Sequence, residues 1–95
     1  MHIAASGSWS YGQTSKLPVY VIRLDYDWWH RLAEAGHELE AGERPDLNGD
    51  GYLFYVLFKE PPKDGSFWPD SIGFKSVGEA KEHASARVSS EIAWD

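Results

Sequence analysis

The residues Asp46 to Phe58 read DLNGDGYLFYVLF, and their first six place oxygen-bearing side chains where an EF-hand-type loop holds calcium. Such a loop needs oxygens at positions 1, 3 and 5, a glycine at 6 for the sharp turn, and a bidentate glutamate at 12. Asp46, Asn48, Asp50 and Gly51 supply the first four, but position 12 is Leu57, inside an apolar run. Glu60 lies too far along to stand in for it, and Pro45 interrupts any incoming helix. Asn48-Gly49 and Asp50-Gly51 are strong turn formers in their own right, because Asn, Asp and Gly tolerate positive φ. A tight turn before a strand is the expected role. Asp46, Asn48 and Asp50 remain the weak calcium candidates.

Histidine offers the next chemistry. His30 and Glu34 stand one helical turn apart, His37-Glu38 follow, and Glu79 and His83 form a second i, i+4 pair. The zinc motif H-E-x-x-H is absent, since the residue four beyond His37 is Ala41. Pairs of this type are ordinary on helix surfaces, and no metal is expected. No serine has a nucleophile's setting: neither G-x-S-x-G nor G-x-x-x-x-G-K-[ST] occurs. The sequence therefore nominates no catalytic residue and no cofactor.

Recognition chemistry is better represented. Trp28 and Trp29 adjoin on one predicted helix and cannot both point straight at the same sheet, while Phe67 and Trp68 follow the breaker-rich Pro61-Pro62-Lys63-Asp64-Gly65. These four rings are the candidate interface or ligand residues, because Trp and other large aromatics are favoured anchors at contacts. The charge is just as uneven. The chain carries a net charge of −6, and the segment from Glu34 to Asp50 holds six acids and one base against nine and eight in the rest. Glu34, Glu38, Glu40 and Glu43 make an acidic patch that repels phosphate backbones and attracts basic surfaces or cations. Nucleic acid is excluded as a partner on that ground.

These residues must be positioned by a small chain. Ninety-five residues fit one compact domain spanning 1–95. Five Trp, five Tyr and four Phe give the core large side chains, and the absence of cysteine removes disulfides and thiolate chemistry. The stretch MHIAASGSWS lacks the pattern of a signal peptide, and the longest apolar run, at 52–58, is far short of the ~20 residues of a membrane helix. A soluble, cytoplasmic protein is expected, with no membrane partner.

LPVYVIRL at 17–24 and YLFYVLF at 52–58 are apolar on both alternating faces, which predicts two central strands. Residues 3–11 should pair with 17–24 as a hairpin around the turn-rich Gly12-Gln13-Thr14-Ser15, and SFWPDSIGFKS, broken by Pro69 and Gly73, reads as an irregular edge strand. Asp25 or Asp27 can cap a helix through YDWWHRLAEAG, with Gly36 as its left-handed terminus. Ser76-Val77-Gly78-Glu79 is a capping box for a second helix whose seam is Val77, Ala80, Ala84, Val88 and Ile92. The order β-β-α-β-β-α predicts an α+β fold: an antiparallel sheet of about four strands with both helices packed on one face.

No motif fixes a function; the expectation is a small acidic protein-interaction module of bacterial type, either immunity- or antitoxin-like or an orphan protein of a mobile gene cassette. It would act as a homodimer or by capping a basic protein partner. The alternative is a small-molecule binder in which aromatic rings and carboxylates cage an organic cation.

Overall fold

The computed structural model describes residues 2–12, 14–64 and 66–95, so Gln13 of the expected turn and Gly65 of the breaker segment lie outside it. Strands β1 (His2–Tyr11) and β2 (Ser15–Leu24) form a long antiparallel hairpin, Trp9 opposite Leu17 and Ser6 opposite Tyr20, with one irregularity between Ile3 and Ala5. Helix α1 (Trp28–Ala35) follows, then β3 (Leu53–Leu57), helix α2 (Val77–Arg87) and a two-residue strand β4 (Ala93–Trp94). The sheet order is β3-β2-β1-β4, antiparallel throughout. Ten-residue strands make the molecule elongated, 50 by 27 by 21 Å, with a radius of gyration of 14.5 Å against the ~12 Å of a compact chain this long. No helix among the described residues is long and apolar enough to cross a membrane.

The α+β class, the four antiparallel strands and the two helices are as the sequence predicts, and the order agrees up to β3. The fourth strand then comes after α2 instead of before it. The segment 66–76 makes only an isolated bridge, Phe54 to Phe74, yet it serves the outer edge of β3 completely. Phe54 and Phe74 exchange N–H···O bonds of 2.8 Å, and Asp70 N–H donates to Val56 O at 2.9 Å. Val56 N–H donates to Ser71 Oγ and Phe58 N–H to Asp70 Oδ2, both at 2.8 Å. Side-chain oxygens thus replace the carbonyls that a regular strand would offer. Gly73 makes the close approach possible: a Cβ there would stand 2.8 Å from Leu53 Cδ1 and 3.1 Å from the Tyr55 ring.

The two helices lie on opposite faces of the sheet, which corrects the expected one-sided packing. On one face Val19, Val21 and Val56 meet Ala80 and Ala84 of α2, with Ile92 closing the cluster. On the other Ile22, Leu24, Leu53, Tyr55 and Leu57 are covered by Trp28 and Trp29 of α1, Tyr26, Leu47 and Phe67. The physical reason is the period of two in a strand: apolar residues on both faces of β2 and β3 need cover on both. Ile92 reaches its cluster from the returning segment rather than from α2, which ends at Arg87 as Val88 turns extended.

The helix ends are set by local chemistry. Asp27, not Asp25, caps α1, its Oδ1 accepting from His30 N–H at 3.1 Å. Gly36 is not the left-handed residue (φ −87°); His37 is (φ 56°). The bonds Glu38 N–H to Ala33 O (2.9 Å) and His37 N–H to Glu34 O (3.1 Å) complete a Schellman turn. Ser76 caps α2 through Glu79 N–H at 3.1 Å, while the Glu79 carboxylate accepts from Lys75 N–H, one residue earlier than in the usual box.

Candidate functional site

The four aromatic candidates converge. Trp28 and Trp29 come from the first turn of α1, and Phe67 and Trp68 from the segment that goes on to seal β3. Ring centroids lie 4.8 Å apart for Trp28–Trp29 and Trp28–Trp68, 6.0 Å for Trp29–Trp68 and 6.4 Å for Trp28–Phe67. All four pairs are edge-to-face, with interplanar angles of 74° to 87°. That arrangement satisfies the ring quadrupoles and leaves no slot between parallel faces.

The cluster is anchored from below. The Tyr55 hydroxyl, at the centre of the α1-side core, accepts from Trp28 N–H at 2.7 Å, and Trp29 Nε1 donates to Ser71 O at 2.9 Å. Tyr55 thereby occupies one of the free amides at the helix N-terminus. Burial pushes its phenol up to about 12, opposed in part by the Trp28 N–H, with smaller upward contributions from Asp27 and Tyr26. Phe67 meets the Tyr55 ring edge-on at 6.3 Å.

Above this base the surface is apolar and open. Trp68 is 55% exposed; Leu32, 41% exposed on α1, lines a hollow with Trp28, and Ile72, 65% exposed, follows Ser71, whose carbonyl holds Trp29. Neither Leu32 nor Ile72 was among the residues that the sequence singled out as candidates. Helical spacing marks Leu32 as a neighbour of Trp28, but nothing in the spacing of residues 66–76 marks Ile72.

The acidic candidates Glu34, Glu38, Glu40 and Glu43 are all exposed, on the last turn of α1 and the loop after it. Glu43 bends back to accept from Glu40 N–H at 3.3 Å. Among the described residues the one ion pair is Lys75 to Asp46, at 2.9 Å, so none of these four glutamates is neutralised by a basic side chain.

The DLNGDG stretch is built as a turn. Asn48 Oδ1 accepts from both Asp50 N–H and Tyr52 N–H at 2.9 Å, Asn48 Nδ2 donates to Lys75 O, and Gly51 takes a φ of 86°. Two of the three candidate calcium ligands thus have other partners, Asn48 through the backbone and Asp46 through Lys75. Nor do the histidines gather: no group of three His, Cys, Asp or Glu among the described residues is placed to hold a metal. His83 packs against Phe74 at 5.1 Å, and His30 Nε2 and His83 Nε2 are buried without a hydrogen-bond partner.

Comparison with protein-family models, with curated proteins and with solved structures finds no match to this chain.

Proposed function

We propose that this protein is a small binding module whose working surface is the tryptophan face of α1. In the absence of another partner, two copies bury that face against each other. The observation that carries the reading is the exposed trio Trp68, Leu32 and Ile72: Trp68 packs on Trp28 and Trp29, Leu32 lines a hollow with Trp28, and Ile72 follows Ser71, whose carbonyl holds Trp29. Together the three exposed side chains offer on the order of 300 Å² of apolar surface, the size range of functional patches on small proteins.

A second copy suits this surface because none of these five residues is charged, and the charges that border it, Arg31 beside Leu32 and Lys59 and Glu60 beside Trp68, are of both signs. The unpaired glutamates lie at the far end of α1 and stay free for a basic protein, as in an immunity- or antitoxin-like role. The organic-cation alternative draws less support. The tryptophan rings meet edge-on, and the Tyr26 face, beside the carboxylates of Asp25, Asp27 and Glu34, already carries the Arg31 guanidinium 3.7 Å above it.

Light scattering across micromolar concentrations tests the reading. Wild type should be dimeric, and Trp68→Glu, which places two charges in one two-fold contact, should be monomeric with unchanged circular dichroism. A monomeric wild type would remove the self-association half of the proposal.

A further inference from the structure

A second concave surface lies away from the Trp28, Trp29 and Trp68 rings. It opens where β2 ends and β3 begins, has a volume of about 420 Å³, and is lined by Arg23, Asp25, Tyr26, Tyr52, Phe67 and His2. That volume suits a small organic molecule.

Its charges are arranged unusually for an acidic chain. The Arg23 guanidinium lies 4.3 Å from the centroid of the Tyr52 ring, and it makes no ion pair or hydrogen bond with another side chain among the described residues. A guanidinium held over a ring and without another side-chain partner keeps N–H donors with which arginine can take a carboxylate through two parallel bonds. Asp25 lines the same cleft two residues on, and it is likewise in no ion pair among the described residues, neither with Arg23 nor with any other base. One unpaired charge of each sign therefore faces a space walled by the rings of Tyr26, Tyr52 and Phe67. His2, directly across the strand pair from Arg23, adds a polar group on the cationic side.

We infer that this cleft binds a small zwitterion of the aromatic amino-acid class, its carboxylate on Arg23, its ammonium toward Asp25 and its ring among the three aromatic walls. A plain carboxylate would leave Asp25 as a repulsive neighbour, and a plain amine would face the cation of Arg23. Only a ligand carrying both charges pairs both side chains.

The test is a two-dimensional amide NMR titration of the full chain with phenylalanine, 3-phenylpropionate and phenethylamine. Phenylalanine should shift the amides of residues 23–26 and 52 saturably at about millimolar concentration, and the two single-charge analogues should bind about tenfold more weakly. Arg23→Gln should lower phenylalanine affinity about tenfold and leave phenethylamine no weaker. Asp25→Asn should lower phenylalanine affinity in the same way and leave 3-phenylpropionate no weaker. Circular dichroism reports that both variants fold, and the monomeric Trp68→Glu chain should bind as wild type does, which separates this site from the association surface. Absence of saturable shifts with phenylalanine up to about 10 mM, or an affinity indifferent to both substitutions, overturns the inference.

Discussion

The two faces of the sheet use the same strands and cover them differently. On the α2 side the partners are small: Val19, Val21 and Val56 meet Ala80 and Ala84, and every one of them is fully buried. Alanine lets the helix approach the sheet closely, and the large rings of this face, Trp9, Phe54, Phe58, Phe74 and Trp94, pack half-buried against that cluster. On the α1 side the inner layer is equally buried, but its cover is Tyr26, Trp28, Trp29 and Phe67, all only half-buried, with Trp68 outside them. Trp28 and Trp29 cannot both point straight inward, because adjacent residues are about 100° apart around the helix axis, and Tyr26, Phe67 and Trp68 crowd the same side from outside α1. Both faces have a buried inner layer; what sets the α1 face apart is that its cover gathers into one ring cluster with Trp68 exposed on top.

The largest effect should come from crowding the α2 face. Ala84→Leu adds three carbons where the helix already touches the sheet, and should cost about 3 kcal/mol through strain and helix displacement. Urea unfolding measures it, and association should survive in whatever fraction stays folded. An equally large loss from Trp68→Ala would break the contrast, because truncating a half-exposed ring should cost well under half as much.

Tyr55→Phe probes the link between the buried α1-side layer and its aromatic cover. It strips Trp28 N–H of its acceptor and should cost about 1 to 2 kcal/mol, the penalty of an unsatisfied amide. Because Trp28 then loses its anchor, dimer affinity should fall as well. The same hydroxyl gives a pH signature. With its phenol raised to about 12, against about 10 in an unfolded chain, the folded protein holds a proton that the unfolded one releases. The stabilisation is complete below pH 10 and is lost as pH rises from 10 through 12. Tyr55→Phe should remove that component of the slope.

Ser76→Ala should cost about 1 kcal/mol, the worth of the bond to Glu79 N–H, and leave self-association untouched. A drop in dimer affinity with this variant would mean that the two faces are coupled through the sheet.

Much of this contrast was legible in the sequence. LPVYVIRL and YLFYVLF announce two-sided strands because apolar residues occupy both alternating sets, and the caps Asp27 and Ser76 sit where their oxygens reach the third amide beyond. Those two-sided runs also implied cover on both faces, which a pair of helices on one face could not have given. The sealing of β3 was not legible. Ser71 Oγ and Asp70 Oδ2 act as surrogate carbonyls only once the chain has turned at Pro69 and Gly73, and no periodicity records such a contact. For the same reason the four aromatic candidates were readable as residues, but not as neighbours. Trp68 reaches Trp28 only because residues 70–74 dock on the β3 edge. The cleft at Arg23 depends on the same kind of distant meeting, His2, Tyr52 and Phe67 arriving from three separate parts of the chain.

The smallest expected effect is a gain, and it concerns the end of α1. His37 holds a φ of 56°, where a side chain with a Cβ is strained and glycine is not. The Schellman bonds from Glu38 and His37 use backbone atoms alone, so His37→Gly keeps both. Relief of strain exceeds the extra freedom that glycine gives the unfolded chain, and the variant should be more stable by about 0.5 kcal/mol. The gain should be local: hydrogen exchange should slow at the amides of residues 36–38, which close the last turn of α1, and stay the same in α2. Tighter self-association alongside it would show that fraying of α1 limits how well Trp28 and Leu32 are presented. A loss of stability would instead show that the His37 imidazole makes a contact worth more than the strain it carries. Because Glu38 is its neighbour in the acidic loop, repeating the measurement at high salt would tell whether that contact is electrostatic.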